Sequence, residues 1–205
     1  MMTNFRPLWI LALNVLILSG CATVEPSTTN VEWDTHQQRL DTITQYSSNG
    51  KLGYIAPDQR QSLNFQWKHS PLTKQLRLTT FLGQTALNLN ITPQGAMVET
   101  YDNGTYSSKD ADSLIYQLTG LTIPVDQLSN WLLGDPTGAD AYQLNDTNTV
   151  ATLNKSIDGQ LWQLEYIEYT DIQYSGVALP LPKKLKLKQN DISINIVITK
   201  WDLNS

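Results

Sequence analysis

The chain has 205 residues, 40% of them hydrophobic and 16% charged, with a formal net charge of −5, one cysteine and two histidines. An acidic balance lacks the basic face that nucleic-acid phosphates demand, and it does not hold a protein to anionic lipid by charge. The lone cysteine excludes an internal disulfide, and the length suits one domain with a core of its own.

The first element is an apolar run from Leu8 to Leu18, interrupted by Asn14, preceded by Arg6 and closed by Leu18-Ser19-Gly20-Cys21. Its roughly eleven residues are about half of what a spanning helix needs. A charged start, an apolar centre and a small-residue cut site describe a secretory signal. With cysteine directly after the cut, the stretch resembles a bacterial lipobox, in which the thiol takes a diacylglyceryl group and the new N-terminus is acylated, commonly with palmitate. That resemblance implies removal of residues 1–20 and lipidation at Cys21. It also implies an outer-membrane, periplasm-facing location, because Ala22 stands where aspartate commonly retains lipoproteins at the inner membrane. Residues 21–30 carry one proline and few large apolar groups, so they read as a lipid-anchored flexible tether. Residues 31–205 are left as a single domain.

From Val31 to Tyr46, Trp33, His36, Leu40 and Ile43 fall at helical spacing, which predicts a helix. Beyond Asn49-Gly50 the period becomes two. A first strand is expected over Gly50–Tyr54, and Leu63, Phe65 and Trp67 then share one strand face. The alternation returns at Leu76 and Leu78, at Leu87, Leu89 and Ile91, and around Met97, with Gly83 and Pro93-Gln94-Gly95 as turns. Two short helices are predicted over Asp110–Leu118 and Pro124–Trp131, stopped by Gly120 and by Gly134-Asp135-Pro136. Further strands are expected around Tyr142, over Val150–Leu153, Leu161–Glu168 and Leu185–Leu187, and over Ile192–Trp201, where Ile192, Ile194, Ile196 and Ile198 share a face. The count points to a mainly β fold: a strongly curved antiparallel sheet or barrel of about 10–11 strands with an N-terminal helix and short capping helices.

A barrel of that size has more interior than its side chains readily fill, so an apolar cavity is expected. Its faces carry Leu63, Phe65, Trp67, Leu76, Leu78, Leu87, Leu89, Trp131 and Trp162. With only His36 and His69, both expected at the surface or as caps, no metal-ligand set forms, and neither a nucleophile elbow nor a phosphate-cradling glycine loop is present. The connection Phe81-Leu82-Gly83-Gln84 places two large apolar residues where loops are usually polar. It reads either as a tucked-in hairpin corner or as a tip that touches lipid.

Taken together, Phe65-Gln66-Trp67, the block Leu76–Leu87, Leu118–Pro124, Asn130–Gly134, Trp162 and Ile198–Trp201 resemble the LolB family of outer-membrane lipoproteins. The resemblance implies an incompletely closed antiparallel β-barrel, with helices over one opening and an apolar cavity that holds acyl chains. It implies no catalysis and no cofactor beyond the covalent lipid. It implies a monomer that takes acylated lipoprotein cargo from a LolA-like periplasmic carrier and passes it to outer-membrane lipid. The family's protruding loop with an exposed leucine matches Leu82, and Phe81 stands where a proline is common. Residues 168–182 match least, and no role is carried onto them. Two other readings stay open on the residues alone: a lipid-anchored envelope scaffold with a solid core, and a lipid-modifying hydrolase.

Overall fold

The structure is a computed structural model that describes residues 25–100 and 104–203. A short helix, α1 (Trp33–Asp41), is capped by the Glu32 carboxylate, which accepts the N–H groups of Asp34 and Thr35 at 3.2 and 2.8 Å. It is shorter than the predicted helix. The chain leaves it at Thr42, and Tyr46 belongs to the first strand.

Six strands follow: β1 (Tyr46–Ile55), β2 (Arg60–His69), β3 (Lys74–Thr79), β4 (Thr85–Thr92), β5 (Gly95–Glu99) and β6 (Thr105–Ser108). Two helices, α2 (Ala111–Thr119) and α3 (Val125–Trp131), lead to five more strands: β7 (Ala141–Leu144), β8 (Val150–Ile157), β9 (Gln160–Tyr174), β10 (Val177–Gln189) and β11 (Ile192–Asp202). All join one antiparallel sheet in the order β6-β5-β4-β3-β2-β1-β11-β10-β9-β8-β7. The chain thus starts mid-sheet, meanders out to one edge at β6, crosses through α2 and α3, and meanders back from the other edge at β7. The sheet does not close: β6 and β7 are its edges.

One face of the sheet is mainly apolar, with Ser48 and Gln189 among its few buried polar residues. Trp67, Leu76, Leu89 and Val98 pair successively across β2 to β5, and Phe65, Leu78 and Leu87 form the next row. On the other side, Leu52 pairs with Ile196, Ile196 with Leu185 and Leu185 with Tyr166. A sheet buried on one face along β1 to β5 and β8 to β11, with only short helices to cover it, must curve around that face. At the β1–β11 bulge the two backbones meet so closely that a Cβ on Gly50 would lie 2.0 Å from the Val197 carbonyl oxygen.

Since every pairing is antiparallel, the turns alternate between two ends of the sheet. The β3–β4 turn shares one end with the β1–β2 and β10–β11 turns. The β2–β3, β7–β8 and β9–β10 turns lie at the other.

Three local expectations change. In β5 the inward residues are Ala96 and Val98, while Met97 faces out at 39% exposure. Strand β6 has no apolar alternation to announce it. His36 is not at the surface: it is buried beside the Trp33 ring, and burial lowers its pKa to about 4. His69 is half-buried, its ring tilted against that of Tyr46 with centroids 5.4 Å apart.

Candidate functional site

All nine residues expected to line the interior, Leu63, Phe65, Trp67, Leu76, Leu78, Leu87, Leu89, Trp131 and Trp162, are buried and belong to one core. The fold brings the first seven together as the adjacent rows of β2, β3 and β4. Trp162 joins them from β9 and Trp131 from α3, whose neighbours Leu128, Leu132 and Leu133 share the same core. In this conformation the segment 125–133 therefore fills the interior as a plug.

Directional bonds hold that plug. The last carbonyls of a helix have no partner within it, and here the sheet supplies two of them. The Tyr46 hydroxyl of β1 donates to the Ser129 carbonyl at 2.6 Å and accepts from the Trp67 indole N–H at 2.9 Å. Across the interior, the Tyr166 hydroxyl of β9 donates to the Trp131 carbonyl at 2.8 Å. Burial pushes both hydroxyls far above the ordinary phenol range, so they remain donors at any physiological pH. The other end of α3 begins at Pro124, which offers no side-chain cap. Instead the Asp112 carboxylate of α2 accepts the Val125 N–H at 2.9 Å. Burial, with further pressure from Asp126, Asp110 and Asp158, raises Asp112 to about 6. Sequence reading missed these three residues. Tyr166 is in phase with Trp162 and Leu164, a signal that could have placed it inward, but nothing local shows what its hydroxyl meets.

The β3–β4 connection is not tucked in. Phe81 is 85% and Leu82 72% exposed, while the residues flanking them close a tight turn: Gly83 N–H bonds Thr80 O and Thr80 N–H bonds Gln84 O. Gly83 adopts φ +83° with open space around it, so the two apolar side chains stand free of the body. Their exposure is unusual in a chain that buries nearly every other large apolar residue of β2 to β4.

A groove of about 350 Å³ on the outer face of β7 to β10 is lined by Thr152, Asn154, Gln163, Glu165, Lys186 and Lys188 among others. It is polar and includes none of the nine interior residues. Among the described residues no His/Cys/Asp/Glu cluster could hold a metal, and no helix is long and apolar enough to cross a membrane. The expected signal segment 1–20 and the expected lipidation site Cys21 lie outside the described residues.

The family profile described as "Outer membrane lipoprotein LolB" matches residues 44–201. An outer-membrane lipoprotein LolB of Vibrio campbellii is 57% identical over 200 residues, covering 98% of each chain. The LolB of Vibrio cholerae is 54% identical over 190 residues, covering 93% of each. Among solved structures, a DUF1329 family protein from Desulfovibrio piger superposes with a TM-score of 0.58 over 83% of this chain and 91% of its own, at 7% identity, which shows a shared fold alone.

Proposed function

The chain belongs to the LolB family, outer-membrane lipoproteins that receive other lipoproteins from the carrier LolA, and we propose that this protein performs the handover with the interior, plug and loop described above. A lipoprotein cargo carries about three acyl chains. Exposing each methylene to water costs about 0.8 kcal/mol, so roughly forty-five of them amount to tens of kcal/mol. Free diffusion of the cargo is thereby excluded, and its chains pass directly from one apolar interior to another. No covalent bond changes, so no catalytic group is required, and direction comes from tighter binding in the acceptor.

In this reading the cargo's acyl chains take the place of the 125–133 plug against the rows of Leu63, Phe65, Trp67, Leu76, Leu78, Leu87, Leu89 and Trp162. The carrier docks where the plug withdraws, and Trp131 moves with it. Cargo then leaves for the outer-membrane lipid beneath the Phe81–Leu82 tip. Burying one leucine contributes about 2 kcal/mol, too little to hold the protein on a membrane and enough to bias a brief contact. The observation that carries the reading is that tip: two large apolar side chains held clear of a body whose other apolar residues on the same strands are inside.

The test uses the body without its signal and with Cys21→Ala, mixed with lipoprotein-loaded carrier. The unsubstituted body is expected to acquire the lipoprotein and pass it to liposomes. Leu82→Glu is expected to acquire it equally well and to lose most of the transfer to lipid. A body that acquires nothing would refute the reading, and normal transfer by Leu82→Glu would remove the loop from it.

A further inference from the structure

Residues 25–32 form no helix or strand, yet they do not hang free. Both oxygens of the Asp171 carboxylate hold them: Ser27 Oγ donates to Oδ1 at 2.5 Å and Thr29 Oγ1 to Oδ2 at 2.7 Å. The Ser27 N–H donates to Tyr169 O at 2.8 Å, and the Val31 N–H to Thr147 O at 3.1 Å. Asn148 Nδ2 donates to Asn30 Oδ1 and to Val31 O. The strap therefore lies along the part of β9 that runs past β8, and against the β7–β8 turn.

Length makes this attachment matter. The acylated residue expected at Cys21 is six residues before Ser27, a reach of about 20 Å when fully extended. The Phe81–Leu82 tip is at the opposite end of the sheet and five strands away from β9. A strand of ten residues such as β1 is about 33 Å long. With the strap held, the anchor's reach is shorter than a strand, so the tip meets the anchoring membrane only if the body lies down on it. With the strap free back to Glu32, the reach grows to about 36 Å, enough for the body to stand on its tip.

We propose that Asp171 is a positioning residue for delivery: it holds Ser27 and Thr29 while the receptor faces the carrier, and its release of them, followed by that of Asn30 and Val31 from the β7–β8 turn, gives the Phe81–Leu82 tip access to the bilayer. The inference rests on the reading of that tip as the delivery element. The strap bonds made by Asp171 are exposed to solvent, and exposed hydrogen bonds are individually weak, so held and released states can both be populated. The contact is also independent of the plug, which is held by other residues on other carbonyls.

The experiment uses the full lipidated receptor in phosphatidylethanolamine/phosphatidylglycerol vesicles, with uptake from loaded carrier and incorporation of cargo into lipid measured separately. Asp171→Ala should leave uptake unchanged and raise incorporation by about tenfold, since the two hydrogen bonds it removes are both exposed and individually weak. Should that variant fold poorly, Ser27→Ala with Thr29→Ala removes the same bonds from the strap side and should do the same. In a Ser27→Cys/Asp171→Cys receptor, oxidation to the disulfide should stop incorporation without affecting uptake, and a reductant should restore it. In the Cys21→Ala body, which has no anchor to limit reach, Asp171→Ala should change nothing. Equal incorporation by the oxidised and reduced receptors, or an effect of Asp171→Ala of the same size in the unanchored body, would overturn the proposal. Leu82→Glu runs beside these variants: normal incorporation by it would refute the delivery reading itself, a result separate from the strap.

Discussion

His36 and Asp112 show how single buried groups tie stability to pH in opposite senses. His36 has a folded pKa of about 4 against 6.5 when exposed, because burial disfavours its charged form. Its contribution is thus complete above about 6.5 and is lost as pH falls toward 4. The loss is on the order of 3 kcal/mol. Denaturant midpoints measured from pH 7.5 to 4.5 should fall accordingly, and a His36→Met variant should flatten that slope. Asp112 behaves in reverse. Its folded pKa is raised to about 6, so the fold favours its protonated form, and the benefit present below 3.8 is lost as pH rises through 6. Asp112→Asn keeps an acceptor for the Val125 N–H and removes the charge. It should stabilise the protein at pH 7 by about 1 kcal/mol and have little effect at pH 4, as read from the same midpoints.

At the scale of elements, α3 is the piece on which the proposed handover turns. It is too short to be a stable helix alone and its N-terminal residue offers no cap, so its place depends on Asp112 at one end and on Tyr46 and Tyr166 at the other. Tyr46→Phe leaves both the Ser129 carbonyl and the Trp67 indole unpaired in a buried site, whereas Tyr166→Phe leaves the Trp131 carbonyl with the Gly134 N–H as its remaining donor. The first should cost about 2–3 kcal/mol and the second about 1. Both should speed amide hydrogen exchange across 125–131 well beyond that of β1 and β2, which would mark opening of the plug rather than a general loosening. Elsewhere the sequence signals and the elements agree where the signal was local. Gly120 ends α2 with φ +70°, and the alternation of β2, β3 and β4 maps directly onto burial. They part where a neighbour decides. The pattern Leu40, Ile43, Tyr46 continues a helix on paper, but β1 claims Tyr46 for its pairing with His69. Strand β10 extends back through Pro182 and Pro180 although proline argues against a strand. That stretch has β9 on one side only, so it loses no ladder bond toward β11.

For the whole molecule, the open sheet reconciles two demands on one barrel. A closed barrel would have no edge, and it would also have no place for a helical segment to enter and leave its interior. Here the chain crosses between the edges β6 and β7 through α2 and α3, with α2 against β5 and β6 and α3 bonded to β1 and β9. In the proposed handover, the anchor expected at Cys21 decides which membrane receives the cargo. A body carrying Cys21→Ala should still accept lipoproteins and deliver them to lipid, and it should discriminate poorly between its own vesicles and protein-free ones mixed with them. Equal selectivity by anchored and unanchored forms, measured by separating the two vesicle populations, would reduce the anchor to an address.

What could be read before folding was everything carried by near neighbours in the chain: the lipobox, the strand periods that bring Leu63, Phe65 and Trp67 to one face, the helix stops, the apolar pair before Gly83 and the family those segments resemble. Hydrophobic periodicity is local and non-directional, so it marks which face is inside without saying what fills it. The tertiary structure alone decided that Tyr46 meets Ser129, 83 residues away, that Tyr166 meets Trp131 at a separation of 35, and that Asp171 holds Ser27 across 144. Hydrogen bonds are directional and join whichever groups the sheet register brings within about 3 Å. No pattern in the intervening residues encodes that meeting, which is why the interior was legible in the sequence while the bonds that hold segment 125–133 and the strap 25–32 were not.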